Sequence, residues 1–459
     1  MKGGREPLSR KRRRPGRRLP AVLGLVGAGF VAAAGLVPFE AVAGERIPQA
    51  PSPPAEEGWP GLRGPSFDGT APPAGLGAVG GPSADEGLEL ELAWRRPLGA
   101  GYSGIALGEG LGVTMFSDGV EDLVLAFEAA TGRELWRAAL GPTYRGHNGS
   151  RGGPASTPLL HGGLIYALGP RGQLLALEPA TGARRWRLEL SSLGIEAPFY
   201  GFATSPYPAA GAILVLGSSR QGAVHAFHPK TGARAWSAGS GRIQYQSPLP
   251  LGEGRGALVA DRERVFEVDA RGRALPRSWL HGLSSAEHGQ PLAIGGETFV
   301  LTSLDGAVAF RREATGTREL WRTEKVKSSY ARPVFSGGTL YTFSGPFLVA
   351  VDAATGELRW KSRQPKGRGL ILVDSMLVIL APDGRLVLAD ADPQGYRERA
   401  SIQALRAGDY AEPAYAGGWI VLRNQEELAG VRMVAKRALR AAAPASLERP
   451  PKGGEAGLH

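Results

Sequence analysis

Apolar residues along this chain fall in short runs, broken every few positions by glycine, proline or a polar pair. The breaks recur in a fixed order. A first run is often led by an x-Pro step, as at Thr157-Pro158, Ser205-Pro206, Ser247-Pro248, Gln290-Pro291, Arg332-Pro333 and Glu412-Pro413. A turn follows, often Gly-Gly, as at Gly162-Gly163, Gly295-Gly296, Gly337-Gly338 and Gly417-Gly418. A second run leads to another glycine-containing turn, such as Asp305-Gly306 or Asp383-Gly384. A third leads to a Thr-Gly turn, and a fourth ends near a tryptophan. Short apolar runs between turn formers predict strands of a few residues, four to a unit.

The units repeat. Leu125-Ala-Phe-Glu-Ala-Ala-Thr-Gly-Arg-Glu-Leu-Trp136 is followed by Leu175-Ala-Leu-Glu-Pro-Ala-Thr-Gly-Ala-Arg-Arg-Trp186 and His225-Ala-Phe-His-Pro-Lys-Thr-Gly-Ala-Arg-Ala-Trp236. Val349-Ala-Val-Asp-Ala-Ala-Thr-Gly-Glu-Leu-Arg-Trp360 repeats the template, and a copy from Ala309 to Trp321 carries one extra residue. Degenerate copies around Gly272 and Gly395 lack the tryptophan at its place. The turn glycines Gly132, Gly182, Gly232, Gly272, Gly316, Gly356 and Gly395 are spaced 39 to 50 residues apart. That period fits four-stranded blades of a β-propeller. The glycines are expected to supply the positive φ of a tight turn, and the tryptophans to pack between blades. Seven units span about 102–400, and an eighth, from Asp409-Tyr410, lacks its outer strand. The segment Leu90–Arg96, with Trp94, is an outer strand without a blade. Pairing the two closes the ring, so the expectation is an all-β, eight-bladed propeller closed by an N-terminal strand.

Composition agrees with strands and turns. Gly and Pro make up 68 and 36 of 459 residues, which argues against helical bundles, and 42% hydrophobic residues suffice for a large core. Cysteine is absent, so no disulfide, thiolate metal site or covalently attached haem is possible. The net charge of +11 sits in the ends: 1–43 carries +7 and 434–459 carries +3. The nearly neutral body argues against nucleic-acid binding.

Residues Arg10–Arg18 form a basic stretch, Leu19–Phe39 an apolar one, and Ala41-Val42-Ala43 a small-x-small step. This is the layout of an export signal over 1–43, cleaved after Ala43, by the general or the twin-arginine route (Arg17-Arg18). The other reading of the same segment is an uncleaved membrane anchor. Residues 44–88 read as an extended Pro/Gly-rich segment, 89–433 as the propeller, and 434–459 as a basic, Ala/Pro-rich disordered tail.

The repeat resembles the PQQ-type propeller family, whose turns carry Ala-x-Asp-x-x-Thr-Gly-x-x-x-Trp. Ala350, Asp352, Thr355, Gly356 and Trp360 match in full, and the copies ending at Trp136 and Trp186 have Glu for Asp. Upstream, Trp59-Pro-Gly-Leu-Arg63-Gly-Pro-Ser-Phe-Asp68-Gly resembles the opening of exported bacterial PQQ-like proteins. The resemblance implies one of two functions. Some members are quinoprotein dehydrogenases, which need PQQ, Ca²⁺ and an aspartate base. Others, similar to the propeller subunit of the outer-membrane β-barrel assembly machinery, bind no quinone and act as protein scaffolds.

No Glu, Asn and Asp set maps onto the dehydrogenase metal ligands, and their adjacent cysteines are missing; His147-Asn148 and Glu287-His288 are candidates at most. Nor does any nucleophile-elbow, Walker or zinc-helix motif occur. The opening ends of the first strands crowd one mouth of the channel. They carry Tyr102, Arg151, Tyr200, Gln244, Tyr245, His288, Tyr330, Arg368 and Tyr410, with His147 in the first inter-blade loop. Aromatic and arginine side chains anchor binding sites, although each could equally plug the channel and cap its own blade. The tryptophans Trp94, Trp136, Trp186, Trp236, Trp321 and Trp360 are read as structural, with Gly132, Gly182, Gly232, Gly316 and Gly356. The expectation is a monomeric, exported scaffold without catalytic residues, metal or quinone, binding an envelope protein or peptide. Membrane contact is expected only through the N-terminal signal or the basic tail. The alternative is a cysteine-free PQQ- and calcium-dependent dehydrogenase.

Overall fold

The computed structural model describes residues 58–71 and 88–435, apart from 149–151, 210, 240–242, 244, 253–254, 284–289, 315, 328–331 and 368. The expected signal (1–43) and the tail from 436 lie outside the described residues. Eight sheets follow one another along the chain, each built on four antiparallel strands, successive in sequence in all but the last. Seven span 106–142, 159–189, 207–238, 249–280, 292–323, 334–362 and 370–403. The eighth takes three strands from 414–435 and its outer strand from β3 (Leu88–Pro97), β1 and β2 being short N-terminal strands described below. In that blade Leu88 pairs with Ala435 and Pro97 with Glu427. The ring is a closed eight-bladed propeller. Among the described residues no helix is long and apolar enough to cross a membrane.

The template explains how blades adhere. Its alanine lies directly across the strand pair from the tryptophan: Ala126 opposite Trp136, Ala176 opposite Trp186, Ala226 opposite Trp236, Ala309 opposite Trp321 and Ala350 opposite Trp360. The register shifts just beyond each alanine, a bulge that tilts the indole out of its own blade. The indole then lies on the Thr-Gly turn of the next blade. A Cβ on Gly132, Gly182, Gly232, Gly272 or Gly356 would come within 3.0 Å of the ring of Trp94, Trp136, Trp186, Trp236 or Trp321 respectively. The ring nitrogens of Trp94, Trp136, Trp186, Trp321 and Trp360 donate to turn carbonyls of the following blade at 2.8–3.0 Å. Trp94, on the closing strand, reaches the turn of the first blade, so the same contact seals the ring.

Three expectations change. The outer strand begins near its tryptophan instead of ending there: Trp136 is third in Glu134–Pro142, because the bulge follows the turn at once. Gly316 receives no tryptophan. It has nothing within 4 Å of a built Cβ and no positive φ, because the extra residue widens that turn and starts the outer strand at Gly316. Trp279 packs instead on Phe310, with ring centroids 5.0 Å apart. Finally, the described part of 44–88 is folded. β1 (Gly58–Trp59) adds to the inner strand of the first blade, and β2 (Thr70–Ala71) to that of the seventh. Both are fifth strands on the channel side.

Candidate functional site

Successive strands alternate in direction, so each blade offers two kinds of loop. The tight turn after the inner strand and the Thr-Gly turn share one face, here the turn face. The links between blades, and the turn between second and third strands, open on the other, the loop face.

Residues 58–71 fill the channel from the turn face. Gly58 pairs with Gly108 and Ala71 with Val373, both at the turn-face ends of inner strands. Between them, Pro60 O accepts from Leu160 N at 2.7 Å, and Phe67 packs at a tilt against Tyr207 with ring centroids 4.7 Å apart. Arg63 is buried at 2% exposure. Its Nη1 donates to Glu412 Oε1 (3.2 Å) and Leu370 O (3.3 Å), and its Nη2 donates to Asp68 O (2.7 Å) and Pro333 O. Burial lowers its pKa, opposed by the Glu412 carboxylate. Arg332 Nη1 lies 3.9 Å from the second oxygen of Glu412.

The residues before the x-Pro steps form the collar above this segment. Thr157 Oγ1 accepts from Gly104 N (3.2 Å), Ser205 Oγ from Thr157 N (2.9 Å) and Ser247 Oγ from Ser205 N (3.3 Å). Gln290 Nε2 donates to Pro248 O and to the Tyr207 hydroxyl, whose pKa burial raises to about 12. Arg332 and Glu412 occupy the equivalent positions two blades apart. The x-Pro signal thus marks a seam that hands hydrogen bonds from blade to blade around the channel.

On the loop face, three of the expected mouth residues come together. Tyr144, His147, Phe199, Tyr200 and Tyr245 form a ladder across the three links joining blades one to four. Successive ring centroids are 5.9, 4.7, 4.9 and 6.0 Å apart. Tyr144 OH donates to Phe199 O at 3.0 Å, and Tyr245 OH accepts from Tyr200 N at 3.2 Å. The base of the ladder is pinned: Tyr144 N donates to Asp122 at 2.9 Å, and Arg171 holds the carbonyls of Pro142 and Thr143 while its guanidinium lies over the Tyr144 ring. Phe199 and Tyr200 are 60% and 43% exposed. The other exposed large apolar side chains, Val120, Leu280 and Leu304, also lie at this face, and only Leu135 lies elsewhere among the described residues.

Tyr102 and Tyr410 sit on inner-strand approaches, held by Tyr102 N to Pro154 O and by a bridge from Tyr410 to Asn424. Arg151, Gln244, His288, Tyr330 and Arg368 lie outside the described residues. Sequence reasoning missed Tyr144, Phe199 and Arg63. The adjacent pair Phe199-Tyr200 in a proline- and glycine-bounded loop was an available signal; nothing local marks Arg63 as buried.

One known family covers most of the ring: the PQQ-like family described as outer membrane protein assembly factor BamB matches residues 120–275 and 304–440. The chain belongs to this family. Search of the curated proteins finds no match to the BamB-family chain. Among solved structures it is similar to BamB from Moraxella catarrhalis, at 18% identity and TM-score 0.56, over 76% of this chain and 98% of that one. It is also similar to the quinohemoprotein alcohol dehydrogenase ADHIIG from Pseudomonas putida HK5, at 12% identity and TM-score 0.58, over 87% and 82%. The quinohemoprotein alcohol dehydrogenase from Comamonas testosteroni gives 12% and 0.57, over 88% and 83%. At these identities the likeness to BamB and to the dehydrogenases is one of fold.

Proposed function

We propose that this protein is an exported, monomeric scaffold that binds a partner protein in the cell envelope through the loop face of its propeller. The observation that carries the reading is the aromatic ladder, a pinned strip of rings whose Phe199 and Tyr200 stand in solvent. Monomeric soluble domains seldom leave such a strip uncovered, and aromatic anchors dominate binding energy. Membership of the BamB family, described as an outer membrane assembly factor, supports an envelope partner.

The described channel residues do not fit the quinone and calcium of the dehydrogenase reading. Among them no three His, Asp or Glu side chains converge as metal ligands. Glu412 is committed to Arg63 and Arg332, and Asp68 Oδ1 accepts from Thr70 N.

A photo-cross-linking residue at position 199 tests the scaffold reading, with position 135 as the exposed control. Irradiating intact cells is expected to give one discrete adduct from 199 and none from 135, and Tyr200→Ser is expected to reduce it. Equal labelling from both positions, or none from 199, overturns the reading. Calorimetric titration with PQQ and Ca²⁺ is the companion measurement. Saturable binding tighter than ~1 μM, about −8 kcal/mol, would replace the scaffold with the dehydrogenase.

A further inference from the structure

The segment inside the channel stands outside the four-stranded repeat, meeting the first and seventh blades only through its two short end strands. It touches the ring the way a bound peptide touches its receptor, by adding short strands to exposed inner edges and by inserting side chains into made-to-measure places. We propose that the channel is a binding site for a guanidinium-bearing peptide folded into tight turns between two short strand ends, filled in cis by residues 58–71 and able to exchange that segment for the same peptide in trans.

The recognition is built around Arg63. Its four acceptors come from separate places: the carbonyls of Pro333 and Leu370 on neighbouring blades, the Glu412 carboxylate on the next, and Asp68 O within the segment itself. A planar fork meets acceptors spread in this way, whereas a lysine ammonium is a point charge on a single stem. The peptide's own glycines complete the pattern. Gly69 has φ +84°, and a Cβ there would run into the Arg63 guanidinium. Gly64 has φ +75°, and a Cβ there would strike the Trp59 ring, itself only 2% exposed. The site therefore reads Trp59, Arg63, Gly64 and Gly69 together, a longer word than any single contact.

Exchange is topologically open. Both ends of the segment leave at the turn face, so it can withdraw as a loop without parting any blade from its neighbour. What keeps the cis copy in place is its tether. Sixteen residues of sequence, 72–87, join it to β3, and a covalent link of that length holds a ligand at an effective concentration of the order of millimolar. A free peptide competes poorly until the tether is cut. The proposal is independent of the loop-face ladder, which lies at the opposite end of the channel.

The test cuts the tether after folding. A specific protease site is inserted between Gly80 and Gly81 of the full chain, and the purified protein is cleaved. A fluorescent synthetic peptide of residues 56–73 is then added and its anisotropy followed. The cleaved protein is expected to retain its N-terminal fragment on a sizing column, and then to take up the labelled peptide saturably as the fragment leaves. Uncleaved protein should bind the peptide at least tenfold more weakly, and a peptide carrying Arg63→Lys should also lose at least tenfold. Circular dichroism before and after cleavage confirms that the ring persists. Two results overturn the proposal. The fragment could leave with no uptake of peptide. Alternatively it could stay for days without exchange short of unfolding, as an ordinary part of the core.

Discussion

Gly182→Ala tests the blade-to-blade contact directly. Gly182 sits at φ +71°, and a Cβ there would come within 3.0 Å of the Trp136 ring. An alanine in the left-handed region costs about 1–2 kcal/mol. Relieving the clash moves the indole off the turn and loosens its 2.8 Å hydrogen bond to Pro179 O, a loss of about 1 kcal/mol. The expected destabilisation is about 2–3 kcal/mol, read from urea unfolding followed by tryptophan fluorescence. Gly316→Ala is the internal control, because it occupies the aligned repeat position without the positive φ or the neighbouring ring. It should stay within about 0.5 kcal/mol of the parent. Near-equal effects of the two substitutions, or an effect below about 1 kcal/mol at Gly182, would refute the argument that these glycines exist to seat the preceding blade's indole.

Three further outcomes are expected. His225 is buried between Ser237 Oγ and Gly217 O, and desolvation lowers its pKa to about 4. The folded state keeps the ring neutral while the unfolded chain protonates near 6.5, so protons favour unfolding. Each tenfold rise in proton concentration across that interval favours the unfolded chain by about 1.4 kcal/mol. Stability should therefore fall by about 3 kcal/mol as pH drops from 6.5 to 4, and His225→Gln should flatten that part of the urea-midpoint profile. Arg312 makes a 2.9 Å ion pair with Glu267, both side chains under 10% exposed. Arg312→Ala should cost about 3–5 kcal/mol by stranding the carboxylate, and adding Glu267→Gln should restore part of it in the same unfolding assay. Arg63→Ala likewise empties a four-acceptor cradle and should lower the urea midpoint more than Arg63→Lys does.

What the sequence discloses follows from how local each determinant is. The Thr-Gly turn and its tryptophan are four residues apart, and the alanine opposite the indole is also within the template, so the three parts of the blade seam recur in one short string, each copy's indole seating on the turn of the next. The closing strand is legible for the same reason: Trp94 stands on an outer strand without a blade, and the last unit lacks an outer strand. Gly316 misled because one inserted residue preserves the letters of the turn while changing its backbone. The channel segment was hidden for a different reason. Its prolines and glycines are those of a linker, and Arg63 becomes an interior residue only through two carbonyls and a carboxylate contributed some 270 to 350 positions away. The aromatic ladder had no period to betray it. Its rings sit in irregular links, and their convergence depends on four consecutive blades being in place.

Closure by Leu88–Pro97 sets a timetable for the molecule. That strand is complete before the first blade has been made, yet its partner Glu427–Ala435 is the last strand described. While the chain is being synthesised, a ten-residue strand with an unpaired edge must wait for more than three hundred residues to follow it. Pairings that remote slow folding, and bare edges of this kind recruit other chains. The protein therefore has an early strand exposed for as long as its chain is incomplete, and whatever shields Leu88–Pro97 during that interval contributes to the yield of closed rings without contributing to their final stability.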